Sequence, residues 1–81
     1  MTTHPAYKLV DDDDATVGTI WWTGSKLCAS TPAILDRLKH KLVDGLDIRS
    51  GEKFFNRIPQ VYKSGYISAH KTTVDDEGKE V

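Results

Sequence analysis

The sequence has 81 residues, with 11 Lys and Arg against 12 Asp and Glu, and a single cysteine, Cys28. That length carries one domain with a modest core, and one thiol excludes an intrachain disulfide. The longest apolar run, Ile20-Trp21-Trp22, is far too short to span a membrane. With no signal-peptide pattern, the lone thiol points to a soluble protein of the cytoplasm.

Charge divides the chain into three parts. Residues 1–14 carry one Lys against four Asp, residues 15–74 nine Lys and Arg against four acids, and residues 75–81 one Lys against four acids. We expect a flexible acidic N-terminal segment (1–14), a single domain with a basic body (15–74) and a disordered acidic tail (75–81).

Ala6 to Val10 has the propensity for a short edge strand. Asp11 to Asp14 reads as a solvated linker, because four adjacent carboxylates repel one another. It lacks the interleaved acids, central Gly and distal Glu of a calcium loop. Ala15 to Trp22 is the strongest strand pattern. Alternation puts Val17, Thr19 and Trp21 on one face and Gly18, Ile20 and Trp22 on the other. Trp21 is expected beneath a helix, and Trp22 on the second face near Tyr66, covered by residues 7–10 or by another chain. Thr23-Gly24-Ser25 is turn chemistry, so Lys26 to Ala29 should return as a hairpin strand.

Thr31, Pro32 and Gly45 read as cap, first residue and C-terminal stop of a three-turn helix. Ile34, Leu35, Leu38 and Leu42 fall on one face of it. Leu46 to Arg49 reads as a short strand or extended link. A second helix is predicted from Glu52 to about Arg57, capped by Ser50, buried through Phe54, Phe55 and Ile58, and stopped by Pro59. The last element is a long strand from Val61 to Val74, bent at Ser64-Gly65, with Ile67 and Ala69 inward and Tyr66, Ser68 and His70 partly exposed. The predicted fold is α+β: a small, mainly antiparallel sheet in the order β-β-α-α-β, with two helices packed on one face.

No catalytic or cofactor motif stands out. Cys28 with His40 or His70 and Asp44 meets only the count for a thiol enzyme, and a small thiol in a strand facing a helix is ordinary packing. Ser50-Gly51-Glu52-Lys53 matches the S-x-x-K nucleophile motif of β-lactamase-like enzymes but lacks their companion motifs, and Gly24-Ser25-Lys26 is not a phosphate loop. His4, His40 and His70 are scattered, so neither a metal nor another cofactor is expected. By elimination the sequence suggests a non-enzymatic protein–protein interaction module, an adaptor or inhibitor, that binds a protein partner or a second copy. Trp22, Tyr62, Tyr66 and His70 are its candidate contact surface. The alternative is a nucleic-acid-binding domain using Arg37, Lys39, Lys41, Lys63 and Lys71 with aromatic stacking.

Overall fold

The computed structural model describes residues 2–62 and 66–81. One antiparallel sheet holds four strands, β1 (His4–Asp11), β2 (Thr16–Trp22), β3 (Leu27–Ala29) and β4 (Ile67–Val74), in the spatial order β3-β2-β1-β4. Among the described residues between β3 and β4 lie three short helices, α1 (Pro32–Leu38), α2 (Glu52–Phe55) and α3 (Ile58–Val61), with a 3-10 turn at Ile48–Ser50. The class is α+β, as expected. The predicted order gains the N-terminal strand, expected only as a possible edge strand, and a further helix, α3, that begins beyond the predicted end of the second near Arg57. Among the described residues, no helix is long and apolar enough to cross a membrane.

β1 is not an edge strand. It pairs with β2 from Ala6↔Trp21 to Val10↔Thr16 and with β4 from His4↔Val74 to Asp11↔Ile67. Ala6, Leu9 and Val10 are all buried, so the strand contributes to both faces of the sheet. A strand covered on both sides loses the clean alternation that would mark it in sequence. The pairing slips between Leu9 and Val10, which leaves Val17 as the extra residue of a bulge.

Both acidic runs are tight turns of one construction. In the first, the Asp11 amide donates to the Ala15 carbonyl, and Asp11 Oδ1 accepts from the amides of Asp13 and Ala15, both at 2.9 Å. In the second, the Asp75 amide donates to the Lys79 carbonyl, and Asp75 Oδ1 accepts from the amides of Glu77 (2.9 Å) and Lys79 (3.0 Å). The fourth residue of each, Asp14 or Gly78, has positive φ. Hence 11–14 is a hairpin turn and not a linker, and 75–81 is a folded turn and not a loose tail. The leading Asp replaces water as partner to two backbone donors. Those donors hold the Asp75 carboxyl below its usual range, so it supports the turn above about pH 4 and loses that support as pH falls through the lowered pKa.

The main core lies between the sheet and the helices, where Leu9 and Ile20 meet Ile34, Leu38, Phe54, Phe55 and Ile58. Burying each such side chain contributes about 1.5–3 kcal/mol before entropy is subtracted. Pro32 occupies the first position of α1 and Thr31 is extended, although its hydroxyl makes no capping bond. The helix ends at Leu38, well short of the predicted stop at Gly45. Val43 and Leu46 exchange backbone hydrogen bonds of 3.0 and 2.8 Å across Asp44-Gly45, both at positive φ. This small turn brings Val43 and Leu46 onto the core, leaves Leu42 72% exposed, and uses Gly45 in a hairpin instead of a helix stop.

Leu46–Arg49 is likewise no strand. Asp47 caps the 3-10 turn: its Oδ1 accepts from the Arg49 amide, and Ser50 Oγ accepts from the Asp47 amide. Ser50 thus caps this turn and not α2. Pro59 starts α3 beside Ile58, because a proline near a helix N-terminus removes no helical hydrogen bond. β4 begins at Ile67 and not at Val61. The expected bend at Ser64-Gly65 lies outside the described residues.

The tryptophans do point to opposite faces, but in the reverse sense to that predicted. Trp22 packs against the helix-side core, whereas Trp21 is buried on the other face with Ala6, Val74 and Cys28. The cover on Trp21 is the C-terminal turn, not residues 7–10. A Cβ on Gly78 would lie 2.5 Å from Trp21 Cη2. Three polar contacts hold this turn down: His4 Nε2 lies 2.6 Å from Asp76 Oδ1, Thr72 Oγ1 donates to Glu80 Oε1 at 2.7 Å, and Lys8 Nζ sits 3.7 Å from the same oxygen. Trp21 Nε1 is buried without a hydrogen-bond partner among the described residues.

Two substitutions test the helix-side core. Leu38→Ala should destabilise by about 2–5 kcal/mol, because the side chain is fully buried and its loss leaves a cavity. Leu42→Ser should leave the thermal melt nearly unchanged, and equal effects of the two would refute the short helix. On the opposite face, Gly78→Ala should cost about 1–3 kcal/mol and red-shift tryptophan emission, since it combines a close contact with positive φ. An unaltered spectrum would show that the turn does not rest on Trp21.

Candidate functional site

The hairpin from β2 to β3 places Trp22 at the rim of the sheet. Its turn is held by the Thr23 amide bonded to the Lys26 carbonyl at 3.1 Å and by Thr23 Oγ1 accepting from the Lys26 amide at 3.2 Å. The edge of the indole lies against Gly51, where a Cβ would be 3.2 Å from Trp22 Cη2. Gly51 has φ of 66°, and it is the link between the 3-10 turn and α2. A residue without a side chain is therefore needed both for the backbone and for the ring.

Trp22 divides two clefts. The smaller, about 230 Å³, runs along Pro5, Tyr7, Glu52, Phe55 and Lys71. The larger, about 400 Å³, has an apolar floor of Trp22, Leu27, Leu35 and Ile48 and a rim of Lys26, Lys39 and Arg49, with Ser25 beside them. Among the described residues no carboxylate lines this larger cleft, whereas Glu52 and Lys71 both line the smaller one. Asp47 steadies Arg49 from outside, accepting at Oδ2 from Nη2 (2.8 Å) and Nε (3.2 Å). That contact lowers the Asp47 pKa and raises that of Arg49. Lys39 Nζ lies 3.5 Å from Asp36, and Lys26 has no ion-pair partner among the described residues.

The residues expected to form one contact surface are dispersed. Tyr62 is half-buried against the helix-side core, where burial pushes its phenol pKa up against the opposing pull of Arg37. Tyr66 is 80% exposed and precedes β4, beside the far end of β1. It lies roughly 20 Å along the sheet from Trp22, since β1 separates β2 from β4 and their ends are six residues apart in register. His70 stands on the helix-free face, its Nε2 3.1 Å from Ser68 Oγ.

The expected cationic set is also divided. Arg37, Lys39 and Lys41 are exposed on and after α1, and Lys71 is exposed on β4. Of these, Lys39 and Lys71 flank Trp22 on its two sides. Lys63 lies outside the described residues. Sequence reasoning missed Lys26 and Arg49, which enter the cleft only through the hairpin turn and the 3-10 turn. The Asp47-Ile48-Arg49 spacing was the one local signal for the second.

Other groupings carry less. Cys28 sits on the helix-free face beside Trp21, contrary to the expectation that it faces a helix. It stands three interstrand spacings, about 14 Å, from the β4 row that leads to His70. Asp11, Asp12 and Asp13 are close enough for a cation, but Asp11 is already committed to its turn. A third cleft, lined by Asp44, Leu46, Lys53, Asn56 and Arg57, is bridged by the Arg57–Asp44 pair at 3.2 Å.

The two indoles should differ in access to solvent. In single-tryptophan variants, iodide should quench Trp22 in the Trp21→Phe protein more than Trp21 in the Trp22→Phe protein. Equal quenching would deny that the clefts reach the ring of Trp22. No protein-family model matches the chain, and neither a curated protein nor a solved structure is significantly similar to it.

Proposed function

We propose that the chain is a non-enzymatic protein–protein interaction module whose contact surface is the pair of clefts at Trp22. The observation that carries this reading is a half-buried indole flanked on both sides by concave surface. Such an aromatic anchor site can bury a partner's side chain and exclude water from its polar rim. The separation of Cys28 from His70 speaks against one of the two thiol–imidazole pairings that the sequence offered. The sheet and helices together hold the ring at a fixed place, which lowers the entropy cost of binding.

Nucleic-acid binding is the second reading. It is favoured by Lys39 and Lys71 standing on either side of an aromatic ring. It is the weaker of the two, because Leu27, Leu35 and Ile48 form a floor without partners for base edges. Polar edges buried there would lose their hydrogen bonds to water.

Immobilised wild type and a Trp22→Ala variant, with its fold verified by circular dichroism, can be compared in native cell extract with and without nuclease. Proteins retained by wild type, lost with the variant and indifferent to nuclease are the expected result. Identical retention by both would refute the cleft as the contact surface, and nuclease-sensitive retention would favour the second reading.

A further inference from the structure

We infer that the larger cleft receives an apolar side chain from an acidic segment of another protein, whose carboxylates pair with Lys26, Lys39 and Arg49. The inference rests on the interaction reading above and specifies the partner's chemistry. The floor of Trp22, Leu27, Leu35 and Ile48 suits an aliphatic or aromatic side chain, which loses no hydrogen bonds on entry. Three cations ring that floor, and the carboxylates that pair with two of them, Asp36 and Asp47, lie outside the lining. The Lys39–Asp36 pair is solvent-exposed on both sides, so a partner's carboxylate can replace it at little cost. The Arg49–Asp47 pair stays in place, because Asp47 is half-buried and caps the 3-10 turn. Arg49 spends two N–H groups on Asp47 and keeps the rest for a ligand. Lys26, with no ion-pair partner among the described residues, can take a carboxylate directly.

The smaller cleft gives the surface a direction. There Lys71 is offset by Glu52, so the acidic end of a bound segment belongs on the Lys26, Lys39 and Arg49 side of the indole. A second copy of this chain is a poor occupant. Its two acidic turns have their leading carboxylates bound to their own backbone, and the exposed Val81 that ends the second is tied down, its amide donating to the Thr73 carbonyl at 3.0 Å while Glu80 is held by Thr72 and Lys8.

The test uses fluorescein-labelled short peptide pools with a central Leu or Phe. The flanking positions are Asp and Glu in one pool, Asn and Gln in a second, and Lys and Arg in a third. An oligothymidylate of similar contour serves as the nucleic-acid probe. Anisotropy should show the acidic pool bound about tenfold or more tighter than the neutral one at low ionic strength, with the advantage shrinking as salt is raised. Lys26→Glu/Arg49→Glu should abolish that preference. Lys26→Glu/Lys39→Glu provides the same readout should the first variant disturb the 3-10 turn.

Neutral peptides bound as well as acidic ones would overturn this inference and leave the interaction module standing. Preference for the oligothymidylate would overturn both. No binding by any pool, or self-association lost in the charge-reversed variants, would overturn the acidic-partner inference, while the extract comparison decides the broader reading independently.

Discussion

Hydrogen bonding of β1 on both of its edges is the constraint on which the rest of the structure depends. Once His4–Asp11 lies between β2 and β4, the parity of its side chains assigns every neighbouring residue to a face. Tyr7 and Leu9 look toward the helices, and Ala6 looks away. Ala6 stands opposite Trp21 and Tyr7 opposite Ile20, so Ile20 must enter the helix-side core and Trp21 must leave it. A slip of one residue would exchange these sets and bury Lys8 beneath the helices.

The helix-free face then needs its own cover, since an uncovered indole on an open sheet is a costly exposure in so small a protein. The cover is made from polar material: a five-residue turn whose glycine lies on the ring and whose Asp76 reaches His4, followed by Glu80, which reaches Lys8 and Thr72. The contacts of Glu80 with Thr72 and Lys8 are exposed and individually weak, that of Asp76 with the buried His4 less so, and burial of Trp21 supplies most of the gain. The acidic runs at the two ends of the chain are thus not repelled from the body. Each folds because one aspartate satisfies two amides that the turn would otherwise leave to water.

The same parity that buries Trp21 brings Trp22 to the helix side, where no helix fully covers it. α1 is only two turns long, and the chain leaves it through the Asp44-Gly45 turn and the Asp47-capped 3-10 turn. The path passes the indole at Gly51, which touches the ring edge without closing over it. The clefts on both sides of Trp22 follow from this brevity. A third turn of α1, carrying Leu42 inward, would have taken a different course past the hairpin.

Local pattern alone determined the β2–β3 hairpin, the start of α1 at Pro32, the burial of Phe54, Phe55 and Ile58, and the inward setting of Ile67 and Ala69. Each of these rests on neighbours within a few residues: alternation, a proline at a helix start, or aromatic spacing. What only the tertiary structure decided was the place of β1, the exchange of the two tryptophans, the length of α1 and the cleft itself. Alternation says that Trp21 and Trp22 face opposite ways, but not which way is in, because that depends on pairing with a strand fifteen residues away. The larger cleft draws on β2 and β3, α1 and the 3-10 turn, which meet only after the sheet has formed. Lys26, Lys39 and Arg49 carry no mutual signal along the chain, since their proximity is a property of three turns packed around one ring.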